Sequence, residues 1–153
     1  MTSEILKTLF NRDLNRLKSE IDSYQDENKI WHIEKSISNS AGNLCLHLIG
    51  NLNTYIGAQI GNTNYIRNRE LEFSDKFVPK TTLIAQIDTT ITMINNTLNQ
   101  LTDEDFKQEH PYLVFENKTS VAYLLIHLTT HLTYHLGQIN YHRRLTGHSL
   151  LNL

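Results

Sequence analysis

A single cysteine, Cys45, leaves no partner for an intrachain disulfide and excludes multi-cysteine zinc or iron–sulfur sites. It stands among Leu44, Leu48 and Leu52, so it reads as a small buried hydrophobe and not as a nucleophile. Proline occurs twice and glycine six times in 153 residues, too rarely for a long flexible linker or a low-complexity segment. No apolar run approaches the roughly 18 to 20 residues of a membrane-spanning helix, and Met1 to Lys7 lacks a basic stretch followed by an apolar signal segment. A cytoplasmic protein that engages no membrane is expected. The formal net charge is -2, and Lys and Arg are scattered apart from the pairs Arg67/Arg69 and Arg143/Arg144. Nothing there attracts a phosphate backbone, so nucleic acid is not an expected partner.

What is present is helical periodicity. The length suits one domain spanning residues 1–153, and four segments carry apolar residues at alternating three- and four-residue spacing, with no segment of period two. The first predicted helix starts at Ser3, as its cap, and runs to about Ile21, presenting Leu6, Phe10, Leu14, Leu17 and Ile21. The second opens at Ser38 to Ser40, with Ala41, Leu44, Cys45, Leu48, Leu52, Tyr55 and Ile56 on its core face, and stops at Gly61-Asn62-Thr63-Asn64. A long polar connection then carries Tyr65, Arg67, Arg69, Glu72 and Phe73 to Pro79. The third helix shows Ile84, Ile87, Ile91, Ile94, Leu98 and Leu101 at coiled-coil-like spacing. The fourth begins near Thr119/Ser120 and ends before Gly147. The expected fold is an all-α four-helix bundle with crossover connections.

Histidines carry the chemistry. His127, His131 and His135 recur at one-turn intervals on the fourth helix. At about 100° of rotation per residue, His135 falls within the apolar stripe, His131 at its margin, and His127 nearer solvent. An i, i+4 pair places two imidazoles on one side of a helix, close enough to chelate one ion. A catalytic zinc centre commonly takes three protein ligands, so the third must come from another helix. His47, mid-helix on the flank of the second apolar stripe with Asn51 one turn on, is the best candidate. His32, His110 and His148 lie in connections or the tail, and His142 is too far along its helix to join the ion held by His131. A histidine near an apolar face more often makes a structural hydrogen bond than binds metal, and H-x-x-x-H arises by chance. The second core histidine and the mid-helix partner elsewhere tip the balance towards metal.

Three stretches resemble the DinB/YfiT-like superfamily. His131-Leu-Thr-Tyr-His135-Leu-Gly137-Gln138-Ile139 is similar to its H-x-x-x-H-x-G-Q-I motif. Asn39 to Asn51, with its single His47, looks like the start of its second helix, and Arg67-Asn68-Arg69-Glu70-Leu71-Glu72-Phe73 is similar to a loop of one uncharacterised subgroup. The resemblance implies a bundle, often dimeric, with a three-histidine site for zinc, nickel or a related ion, mapped here onto His47, His131 and His135. It also implies thiol-dependent transferase or isomerase chemistry with a low-molecular-weight thiol. Leu136 stands where many relatives carry Arg after the last ligand, which removes the anion contact such an Arg would supply.

The expected function is therefore a metal-dependent enzyme, a thiol-dependent transferase or a hydrolase, acting on a small molecule at a site with one divalent ion. The alternative is a non-catalytic bundle that binds metal for stability or dimerises through a helix face. Asn51, His127, Tyr134 and Gln138 are candidates to support the ligands, since each lies about one turn or one residue from one of them. Arg67 and Arg69 are candidates to hold an anionic substrate group, with salt bridges to Glu70 or Glu72 as the plainer role. No Glu follows His131, which excludes an H-E-x-x-H protease. No Glu precedes the histidines by three residues, against a di-iron site, and Cys-x-x-Cys-His haem attachment is absent.

Overall fold

The structure, a computed structural model, describes residues 2–34 and 36–147; His148 lies outside the described residues. Four long helices, α1 (Thr2–Asp22), α2 (Ala41–Leu52), α4 (Lys80–Gln100) and α5 (Val121–Thr146), enclose one apolar core, and a short helix, α3 (Arg69–Ser74), lies in the connection from α2 to α4. Among the described residues there is no strand, only an isolated bridge between Glu109 and Ser120.

Local chemistry starts two of the helices where serine can cap them. The Ser40 side chain accepts the Asn43 N–H at the head of α2, and Ser120 accepts the Tyr123 N–H at the head of α5. Each such cap stabilises by about 1 kcal/mol. Ser3 departs from expectation: it lies inside the first turn of α1, and its hydroxyl donates to the Leu98 carbonyl at 2.7 Å. It ties α1 to the end of α4 where capping was predicted.

Side-chain bonds define the helix directions. Asn11 pairs with Asn95 and Lys18 with Asp88, so α1 and α4 run antiparallel; Asp13 meets Thr133 and Glu20 meets Asn140, so α1 and α5 run parallel. Both α1 and α2 pack on α4 and α5, and α1 faces α2 across the diagonal. The order is up, down, down, up. The crossover is the α2–α4 connection, which must travel back along the bundle so that two neighbouring helices can run parallel. A π-helical stretch, Asn53–Ala58, ends α2, and Asn62 leaves it at φ 51, a left-handed conformation that Asn tolerates.

The core face of α4 is rotated from the one predicted. Leu83, Ile87, Thr90, Ile94, Thr97 and Leu98 are buried, whereas Ile84 and Ile91 pack half-exposed at its edge. Because α4 touches both α1 and α2, its buried face is wider than one seam. Thr90 is tolerated inside because its hydroxyl donates to the Gln86 carbonyl and accepts from Asn53.

Candidate metal centre

His47 is carried by α2 seven residues beyond its Ser40 cap, and His131 and His135 are one turn apart on α5. The bundle brings the three together. His131 Nε2 stands 3.4 Å from His47 Nε2 and 3.1 Å from His135 Nε2, and one ring nitrogen from each lies within 4.8 Å of the others. The His47 ring meets the other two edge-on, at interplanar angles of 85° and 88°.

Hydrogen bonds at the far side of two rings decide which nitrogens point inward. His47 Nδ1 lies 3.0 Å from the Glu72 carboxylate, which accepts two bonds from Arg67 at 2.6 and 2.9 Å. Arg67 Nη2 also lies 3.4 Å from His47 Nδ1, but the shorter contact is to a carboxylate that offers only lone pairs, which favours the proton on Nδ1 and leaves Nε2 as a lone pair. His135 Nδ1 lies 2.7 Å from Gln138 Oε1, while the Gln138 amide nitrogen donates to the Tyr134 hydroxyl at 3.3 Å; His135 Nε2 is likewise bare. Two lone pairs therefore face His131 Nε2, which has at most one proton for both. A cation resolves the conflict. Three nitrogens held at about 2.0–2.1 Å from a tetrahedral zinc stand about 3.3–3.4 Å apart, close to the two spacings that His131 Nε2 makes here.

Two of the imidazoles, those of His131 and His47, are pushed towards the neutral form that a metal needs. Burial, then the facing His135 and His47 rings, takes the His131 pKa down to about 4. Burial also pushes His47 below its ordinary value, outweighing the Glu72 contact that would raise it. His47 is buried while His131 and His135 are partly exposed, so the cluster borders solvent. Among the described residues no carboxylate or thiolate joins the three, which leaves coordination positions open.

The support behind His47 was not foreseen. Glu72, 6 % exposed, reaches His47 from α3, whose first turn is capped by Asn68. Asn43 holds α3 against α2 by donating to the Glu72 and Asp75 carbonyls at 3.0 and 2.9 Å. Gly50, one turn beyond His47, has no side chain because the Glu72 carboxylate occupies that place. The signal available in the sequence was the charge complementarity of Arg67 and Glu72.

The other residues singled out are placed as follows. Arg67 is paired bidentately with Glu72, and Arg69 lies over the Phe73 ring at 5.9 Å. The Tyr134 ring stands 5.2 Å from that of His135. His127 is exposed, its ring parallel to that of His131 at 6.2 Å and edge-on to Phe115. Asn51 is buried, with its Oδ1 unpaired, as is His131 Nδ1. His142 lies apart: it accepts from the Tyr24 hydroxyl at 2.6 Å and donates to the His32 carbonyl at 2.9 Å. Burial pushes the Cys45 thiol up to about 12, so it is no nucleophile.

Fold and cluster together define a class, an all-α four-helix bundle with a histidine triad that could hold a metal ion. The chain belongs to a family described as a protein of unknown function, DUF1572, which matches residues 4–149. Among solved structures it is similar to the crystal structure of a DinB-like protein, YjoA, from Bacillus subtilis, with a TM-score of 0.69 at 19 % identity over 97 % of this chain and 95 % of that one. That likeness shows the fold. No protein of curated function matches the chain significantly. No helix among the described residues is long and apolar enough to cross a membrane.

Proposed function

We propose that the protein is a metal-dependent enzyme acting on a small molecule, with His47, His131 and His135 as the ligands of one divalent ion, zinc or nickel. The observation that carries this reading is the meeting of two Nε2 lone pairs at a third imidazole nitrogen, on the side of the His47 ring away from Arg67. A divalent ion there supplies Lewis acidity to an atom entering from the solvent side. The chain's own part is orientation: Glu72 and Gln138 hold the rings of His47 and His135, and Arg67 holds Glu72 by two hydrogen bonds.

Because no fourth protein ligand closes the site among the described residues, the reading favours catalysis over a purely structural ion. The chemistry within it is thiol-dependent transfer, with a low-molecular-weight thiol as co-substrate, or hydrolysis. It includes a cytoplasmic homodimer, supported by the exposed Tyr123 and Ile126 on the outer face of α5.

Elemental analysis of protein purified without a histidine tag tests the centre. About one equivalent of metal per chain is expected, lost in the His47→Ala/His135→Ala double variant while circular dichroism stays helical. Equal metal in both proteins removes the site. A monomeric mass by light scattering removes the dimer.

A further inference from the structure

Beside the triad, α5 and the segment before α2 enclose a groove of about 700 Å³, within the range of small-molecule sites. One end is His135 with Gln138; the walls are Ile37, Leu44, Tyr134, Tyr141 and Leu145. Four of these five are large side chains left between 41 % and 66 % exposed: Ile37, Tyr134, Tyr141 and Leu145. None of the described lining residues is a carboxylate, an ammonium or a guanidinium. The one other imidazole in the wall, His142, has both ring nitrogens engaged, by Tyr24 and the His32 carbonyl.

Gly137 gives an independent sign of an occupant. It sits in the interior of a 26-residue helix, where glycine is the poorest choice short of proline, and a Cβ built there meets nothing within 4 Å. Packing within this chain therefore does not account for it. The vacant side-chain space opens into the groove, between His135 and Gln138. Tyr134 is exposed yet held, by its edge contact with His135 and by the Gln138 amide, so the rim is ordered before anything binds.

We infer that this groove takes the body of the substrate, and that this body is uncharged and apolar, of aromatic size, with its reactive end at His135. The inference rests on the proposed metal centre for its direction. An anionic body lying in the groove, away from the proposed ion at its His135 end, would give up hydration with no counter-charge among the described wall residues; Arg143, next to His142 in the chain, is paired with Glu20. Two aromatic faces and a glycine-made gap suit a flat ring.

Two probes of equal ring size decide it, 1-naphthalenemethanol and 1-naphthalenesulfonate, titrated by calorimetry into the zinc-loaded full chain. The neutral probe is expected to bind at least tenfold more tightly. Gly137→Leu, which fills the gap, should weaken it at least tenfold, and Gly137→Ala should raise the melting temperature while weakening it less. Tyr141→Lys, an exposed change that leaves the fold intact, should shift the preference towards the sulfonate and serves if Gly137→Leu does not fold. Equal affinity for both probes, or binding unaffected by Gly137→Leu and Tyr141→Lys, overturns the inference. So does a dimer that Gly137→Leu dissociates while exposing the groove to the probe, because a second copy would then be the occupant. In His47→Ala, outside the groove, neutral-probe binding should persist without zinc. Zinc bound without probe discrimination defeats the groove alone, and discrimination in a protein that never binds zinc defeats the metal centre alone.

Discussion

Glu72 receives His47 on one side and Arg67 on the other, so a buried carboxylate on a short helix aims an imidazole carried by a long one. Carboxylate partners of this kind fix the tautomer of a ligating histidine and raise its basicity. Glu72→Gln keeps an acceptor for His47 but removes the charge. Zinc affinity should fall about 10–100-fold, measured by competition with a chromophoric chelator, with the helical spectrum unchanged. An unaltered affinity would separate Glu72 from the metal.

Gly50 should be as sensitive as Glu72, although it touches no histidine. A methyl group at this position collides with the Glu72 carboxylate. Gly50→Ala should destabilise by about 1–3 kcal/mol and weaken zinc as Glu72→Gln does. In a double-mutant cycle with Glu72→Ala the two effects should be strongly non-additive, because one collision underlies both. Additive losses would place the Gly50 effect elsewhere.

Most of the scaffold was legible because it rests on local rules. Ser40 and Ser120 announce helix starts by their hydroxyls, and the apolar spacing of α1, α2 and α5 follows the helical period. His47, His131 and His135 were legible as a set because two share a helix face and the third stands mid-helix on another. What escaped depends on tertiary packing. The face of α4 turned because it touches two helices, so Thr90 and Thr97 went inside and Ile84 and Ile91 to the edge. Six residues of α3 are too few to show a period, and Glu72 there looks like an ordinary exposed acid until Asn43 and Gly50 are seen to make room for it.

The Tyr24 hydroxyl at His142 Nδ1 is a separate tie, holding the end of α1 to the end of α5. Tyr24→Phe leaves a buried ring nitrogen without a donor, at a cost of about 1–3 kcal/mol. For a chain of this size the melting temperature should drop by about 2–4 °C per kcal/mol. Zinc content should not change, and if it does the tie is coupled to the metal centre.

Acid should destabilise the metal-free protein through the same imidazoles. The folded pKa of His131 is about 4, below its unfolded value of 6.5, so between these two pH values the unfolded chain binds the proton that the folded chain refuses. Stability from this group is fully present above pH 6.5 and is lost as pH falls towards 4. His47 and His142, also lowered by burial, act in the same direction. Thermal melts of the metal-free protein should be level above neutrality and decline below it, with a shallower decline in His131→Gln. The same slope in both proteins would remove His131 as a contributor.

Asn51 joins the stability of the bundle to its proposed chemistry. Its Oδ1 is buried without a partner, and so is Nδ1 of His131. Unpaired buried polar atoms cost about 1–3 kcal/mol each and are rarely kept without a use. If bound zinc draws His131 into a position where its Nδ1–H finds Asn51 directly or through water, the pair is satisfied only in the loaded protein. Asn51→Leu, close in size and apolar, should then raise the melting temperature of the metal-free protein and weaken zinc at least fivefold. A variant that is more stable and binds zinc as before would make Asn51 a packing residue, and one that is less stable without metal would show its amide already paired in the free protein.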